Sequence, residues 1–198
     1  MSLLFETLRI ENGSIAHAQY HEQRMMRSLH ALYGLTEPWS LLQLIPIPVE
    51  FQKGIFRCRI TFDSEIRSVE FTPFIRRTIN SLQIVHADNI KYEHKYSDRS
   101  VIDACFAQRG SADDILIIRN GFVTDTSFSN VIFQEGNTWY TPETYLLRGT
   151  ARERLLSEKI IESRVIREED ILKYSHVSLI NVLNEPGELV IPVSSIHF

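Results

Sequence analysis

Residues 91–133 read KYEHKYSDRSVIDACFAQRGSADDILIIRNGFVTDTSFSNVIF, and their reading decides the rest of the chain. Lys95 lies in a polar run just ahead of an apolar segment. That segment predicts a helix over residues 99–109, with Val101, Ile102, Cys105 and Phe106 on its buried side and Gly110 closing it. Residues 114–119 and 122–126 read as strands joined at Asn120-Gly121, a strong two-residue hairpin signal. Asp125 and Asn130 then fall on or beside the returning strand. A lysine that forms a Schiff base needs firm placement beside a helix and an acidic partner elsewhere in the fold. Lys95 and Asp125 offer that combination, and the plainer alternative, a solvated surface lysine, stays open on these residues alone.

Composition narrows the classes. The 198 residues suit one large domain or two small ones, and 43% hydrophobic content is enough to bury a core. The net charge of -4 leaves no basic field to attract nucleic acid, so an anionic ligand must be met by local arginines and backbone amides. Cys58 and Cys105 lie far apart in apolar segments, as buried thiols of a reducing compartment do. The opening MSLLFETLRI has Glu6 and no basic region before an apolar run, so it is not read as a secretory signal. No window approaches the length of a membrane span. A cytoplasmic protein is expected.

Outward toward the N-terminus, residues 3–10 alternate as a strand, Asn12-Gly13 turns the chain, and residues 14–18 run back. A helix follows to Tyr33, with Met25, Leu29, Leu32 and Tyr33 on one face and Gly34 as its stop. His21 and Arg24 sit near its start. A cation there opposes the helix dipole unless it meets an anion, so Arg24 is a candidate anion ligand. Residues 41–49 read as a helix giving way to an extended segment at Pro46 and Pro48. Residues 55–62 and 68–73 are predicted strands about a turn, and place Arg57 and Arg59 on one face. PFIRRTIN, residues 73–80, is the expected linker between a small N-terminal lobe (1–80) and a larger C-terminal lobe (81–198) that carries Lys95.

Toward the C-terminus, residues 82–86, 130–134 and 138–141 read as strands, and Pro142 ends the last of them. Gly149 and Thr150 then lead into a helix whose apolar residues are Leu155, Leu156, Ile160 and Ile161. The first amides of such a helix have no intrahelical partner and can hold a phosphate, or Thr150 can simply cap them. A short helix over 168–174 and strands over 177–183 and 188–193 complete the prediction. The signatures of a zinc hydrolase helix and of an acyl-transfer serine elbow are absent.

Together these pieces resemble the class IV aminotransferases, the fold-type IV pyridoxal phosphate enzymes, over nearly the whole chain. YHEQRMMRSL resembles the family's H-x-x-R helix, whose arginine binds the cofactor phosphate, and this implies Arg24. HKYSDR resembles the segment carrying the Schiff-base lysine, and this implies Lys95. VTDTSFSNVIF resembles the segment whose acid pairs with the pyridine nitrogen, and this implies Asp125. TPETYLLRGTAR resembles the phosphate cup, and this implies Gly149, Thr150 and Ala151. Two departures stand out. The family acid is usually glutamate, one methylene longer than Asp125, and the cup usually ends Ile-Thr where this chain has Thr150-Ala151.

The resemblance implies a two-lobed α/β fold of α+β type with a barrel-like C-terminal lobe. It also implies pyridoxal 5'-phosphate as cofactor, a small anionic amine or amino acid as substrate, and a homodimer. Asn181-Val182-Leu183 is similar to the Asn-Ala-Leu turn of aminodeoxychorismate lyase, where branched-chain enzymes have Gly-Thr-Ala binding substrate carboxylate and cofactor phosphate. That implies a lyase releasing 4-aminobenzoate and pyruvate from 4-amino-4-deoxychorismate, in folate biosynthesis. The alternatives are an aminotransferase of D- or branched-chain amino acids and an inactive cofactor-binding protein. Asn181 and Val182 become cofactor-binding candidates. Arg57, Arg59, Arg99, Arg109 and Leu183 become substrate candidates.

Overall fold

A computed structural model describes residues 2–198. The chain forms two compact units, the first running to Arg76 and including His94–Asp98, the second comprising Arg77–Glu93 and Arg99–Phe198.

In the first unit, β1 (Leu4–Glu11) and β2 (Ser14–Ile15) form the hairpin expected at Asn12-Gly13, and both turn residues have positive φ. Helix α1 (Ala18–Tyr33) ends at Gly34 in the left-handed region, the conformation that favours glycine. A single turn, α2 (Leu41–Leu44), precedes β3 (Ile55–Phe62) and β4 (Ile66–Pro73). The antiparallel sheet has the order β2-β1-β3-β4. Its inward rows, Leu4, Leu8 and Ile10 from β1 and Cys58, Ile60 and Phe62 from β3, pack with Met25 and Leu29 of α1. Period-two alternation puts Glu6 in that same inward row, opposite Ile60.

Segment His94–Asp98 was expected in the C-terminal lobe and is instead part of this unit. The cause is backbone pairing that local pattern does not reveal. The Phe5 N–H donates to the Lys95 carbonyl at 2.9 Å, the Ser97 N–H donates to the Leu3 carbonyl at 2.8 Å, and Tyr96 bridges to Leu4.

In the second unit, β5 (Leu82–His86), α3 (Ser100–Phe106), β6 (Asp114–Arg119) and β7 (Phe122–Val123) are followed by β8 (Asn130–Glu135), β9 (Thr138–Pro142) and α4 (Thr150–Ser157). Then come β10 (Glu162–Arg164), β11 (His176–Ile180), β12 (Val190–Pro192) and β13 (Ile196–His197). One sheet has the order β13-β5-β6-β7 and the other β10-β9-β8-β11-β12. Both contribute to one core that includes Leu82, Leu116, Val131, Phe133, Val177 and Ile191. The mixture of parallel and antiparallel pairing makes the chain α/β of the α+β type.

Several boundaries differ from expectation. Helix α3 has only two turns, and its inward face is centred on the buried Ile102 and Cys105, which leaves Val101 exposed. Helix α4 stops before Lys159, whose φ is positive, and this leaves Ile160 exposed and Ile161 buried. Strand β7 ends at Val123, which places Asp125 in the loop that follows it. The two-residue edge strand β13 and the three-residue β10 carry too little pattern to be predicted.

Candidate active site

In the first unit the candidate residues lie around β1. Glu6 is buried between Arg24 and His21, which sit one helical turn apart on α1. Arg24 donates from Nε to Glu6 Oε1 at 2.7 Å and from Nη2 to Oε2 at 2.5 Å. Burial alone would raise the Glu6 pKa. The Arg24 charge and the hydrogen bonds from His21 and Arg24 outweigh it and hold the carboxyl well below the usual carboxylate range. Glu6 is therefore ionised, and His21 Nδ1 donates its proton to Oε2 at 2.9 Å. Burial pushes the His21 pKa down; Glu6 opposes this, and Arg24 and Lys95 add to it. His21 Nε2 is buried with no hydrogen-bond partner among the described residues.

Arg24 thus meets a buried acid, Glu6, within its own unit. The missed residue had a legible signal. An acid in the inward row of an amphipathic strand needs a buried partner, and Arg24 lies on the face of α1 that also buries Met25. Lys95 lies in the segment paired with β1, its Nζ 4.6 Å from the centre of the Phe5 ring. The Arg59 guanidinium lies 3.8 Å from that same ring centre, so Phe5 brings Arg59 and Lys95 together. Arg57 stands apart, exposed, donating from Nε to Thr72 Oγ1.

In the second unit Asp125 is the centre. Its Oδ2 accepts the N–H groups of Leu146 and Leu147 at 3.1 and 2.9 Å, and its Oδ1 accepts Asn130 Nδ2 at 2.8 Å. Burial raises its pKa to about 6 against the pull of these donors, so it is mainly ionised at neutral pH. Asn130 also donates to the Leu147 carbonyl at 3.0 Å and so ties the acid to the loop that enters α4. Gly149 caps α4 with no side-chain hydrogen bond, and Thr150 and Ala151 open its first turn, both buried. Sequence reading took Gly149 as an amide-exposing residue. The structure adds a steric reason, because a Cβ there would lie 1.8 Å from Asn130 Oδ1.

Asn181 closes its own turn. Its Oδ1 accepts the N–H groups of Leu183 and Asn184 at 2.8 and 3.1 Å, and its Nδ2 donates to Ser129 Oγ at 2.9 Å. Val182 lies between them at the turn. Arg99 donates from Nη2 to the Ser127 carbonyl at 2.7 Å and lies over the Phe128 ring; Arg109 lies over Phe106. No described helix is long and apolar enough to cross a membrane, and no His, Cys, Asp and Glu cluster among the described residues is arranged to hold a metal ion.

Comparison with known proteins bears on the family and the fold. Residues 60–196 match the family model described as amino-transferase class IV. An uncharacterized protein of Haemophilus influenzae is 45% identical over 183 residues, which span 91% of this chain and 97% of that one. A crystal structure of a candidate 4-amino-4-deoxychorismate lyase from Haemophilus somnus is 35% identical, with a TM-score of 0.87, covering 93% of this chain and 97% of that one. A pyridoxal phosphate-bound aminotransferase of Mycobacterium tuberculosis, described as hypothetical, shares the fold at 19% identity and a TM-score of 0.75, covering 98% and 81%.

Proposed function

Since the chain belongs to the class IV aminotransferase family, whose enzymes depend on pyridoxal 5'-phosphate, we propose that it is a lyase of the aminodeoxychorismate type. The residues fit the cofactor. Arg24 and the uncapped start of α4 are the donors a phosphate dianion requires, Lys95 is an amine for the aldehyde, and Asp125 is an ionised acceptor for a protonated ring nitrogen.

When bound, the cofactor supplies an aldehyde that joins the substrate amine and a ring that accepts the electron pair released at the adjoining carbon. Lys95 would hold the cofactor aldehyde and, once free, would be the base for the proton on the carbon that bears the amine. Asp125 would hold the ring nitrogen protonated, and the Leu146, Leu147 and Asn130 donors keep Asp125 in position. Arg24 in the first unit, and the amides of Thr150 and Ala151 in the second, would be the donors for the phosphate. In the lyase the neighbouring C–O bond breaks, enolpyruvate leaves and takes up a proton to become pyruvate, and the ring becomes aromatic as 4-aminobenzoate.

One observation favours this branch. The Leu183 and Asn184 amides are spent on Asn181 Oδ1, so the turn does not offer them to a substrate carboxylate as the Gly-Thr-Ala turn of branched-chain enzymes does. A small anionic amine as substrate, a homodimer and a cytoplasmic location belong to the same reading.

The test has two stages. Borohydride reduction of the protein loaded with pyridoxal phosphate, followed by peptide mapping, is expected to place the label on Lys95. The loaded enzyme is then expected to release 4-aminobenzoate and pyruvate from 4-amino-4-deoxychorismate with no keto acid present. Turnover that requires a keto acid replaces the lyase with an aminotransferase, and label scattered over surface lysines overturns both.

A further inference from the structure

Arg24 is only 7% exposed, and its one acidic partner described above is Glu6. The pairing is side-on. Nε and Nη2 take one carboxylate oxygen each, at 2.7 and 2.5 Å, and this fixes the plane of the guanidinium. His21 Nδ1 donates to the same Oε2, so Glu6 is held from a second direction and cannot rotate with Arg24. Nη1 stays outside the pair.

Charge and geometry make opposite demands here. Glu6 cancels the charge of Arg24, so an arriving phosphate meets directed N–H groups on a neutral pair rather than a bare cation. A carboxylate so close to an anion site is tolerable only if the orientation it imposes outweighs the repulsion it adds. We propose that Glu6 is a positioning residue for the cofactor phosphate, holding Arg24 side-on so that its Nη1 edge is the phosphate donor, with His21 locking Glu6 in place. This rests on the reading of Arg24 as a phosphate ligand.

The two effects separate in Glu6→Gln. If Glu6 served only to balance charge, removing it would uncover a cation and tighten anion binding. If it positions, the guanidinium gains freedom and binding weakens. Dissociation constants are read by absorbance titration with pyridoxal phosphate and with pyridoxal, which lacks the phosphate. The wild type is expected to favour pyridoxal phosphate. In Glu6→Gln its dissociation constant is expected to rise about tenfold or more while that for pyridoxal stays within about twofold. Unchanged or tighter binding of pyridoxal phosphate, or equal weakening for both ligands, overturns the proposal.

A second pair of variants serves if Glu6→Gln does not fold. His21→Asn puts an amide nitrogen where Nδ1 lies and keeps the bond to Glu6, whereas His21→Leu deletes it. The asparagine variant is expected to stay within about threefold of wild type, and the leucine variant to weaken pyridoxal phosphate alone by more than that. Equal effects overturn the proposal. A wild type that binds the two ligands equally, or an Arg24→Lys variant that keeps full discrimination, overturns the phosphate role of Arg24 itself and this inference with it. Discrimination lost on Arg24→Lys but kept on Glu6→Gln overturns the role of Glu6 alone.

Discussion

Replacing Gly149 with alanine isolates the contact that joins the buried acid to the start of α4. The backbone there, φ -73° and ψ 141°, suits any residue, so the substitution adds no backbone strain. The cost falls on Asn130, whose Oδ1 and Cγ would lie 1.8 and 3.0 Å from the new methyl. Asn130 is buried and its Nδ2 donates to both Asp125 and the Leu147 carbonyl, so it clears the methyl only by releasing them. The bond to the carboxylate is worth about 1.5–3 kcal/mol and the neutral one about 0.5–1.5 kcal/mol. The lower chain entropy of alanine in the unfolded state returns about 0.4–1 kcal/mol. The net loss is then about 1–4 kcal/mol, or roughly 2–16 °C in melting temperature for a chain of this length. Thermal unfolding of Gly149→Ala, Asn130→Ala and the double variant forms the assay. Because both single changes remove the same bonds, the double variant is expected to be no less stable than Asn130→Ala. A Gly149→Ala loss below about 0.5 kcal/mol, or an equal loss in the Asn130→Ala background, would refute the reasoning.

Three further outcomes follow from other contacts. Asp125 has a folded pKa of about 6 against 3.8 unfolded, so burial of its neutral form stabilises the protein below pH 3.8 and that contribution is lost as pH rises through about 6. Asp125→Asn escapes this loss, so its stability relative to wild type should improve by up to about 3 kcal/mol between pH 4 and 7 in denaturant titrations, while turnover falls on the order of 10²-fold. Arg24→Met leaves Glu6 buried without its main counter-charge and should cost about 3–5 kcal/mol, and Glu6→Leu in the same chain should recover much of it; strict additivity would contradict a buried pair. Pyridoxal phosphate at a hundred times its dissociation constant should stabilise the chain by about 2.7 kcal/mol, and Lys95→Ala should reduce that gain.

Much of this was legible because its signals are local. Asn12-Gly13 and Asn120-Gly121 impose their hairpins through backbone conformation at two residues, and Gly34 stops α1 in the same way. Strand β3 was read to its full bounds from alternation alone. What was not legible depends on distant partners. Lys95 was recognised as a candidate, yet the polar run around it gives no hint that Phe5 and Leu3 will hold its backbone. The alternation of β1 marks Glu6 as inward and in need of a partner, but which residue it meets depends on a helix that begins later in the chain. The pattern reads Val101 as inward beside Ile102, and the face that packing buries is narrower, Ile102 with Cys105. Gly149 was read for its amides, while the space it leaves for Asn130 appears only in three dimensions.

The return of His94–Asp98 to the first unit has a consequence for how this chain can be divided. The backbone passes between the units three times, at Arg76, at Glu93 and at Asp98. A fragment ending at Arg76 loses the segment that pairs with Leu3 and Phe5, and with it Lys95. A fragment beginning at Arg77 carries that segment with nothing to pair against. Neither unit is therefore a portable cassette, and a single recombination crossover between two relatives would graft one parent's lysine segment onto the other parent's strand. New specificities in such a chain arise more readily by substitution within each unit than by exchange of one unit for another.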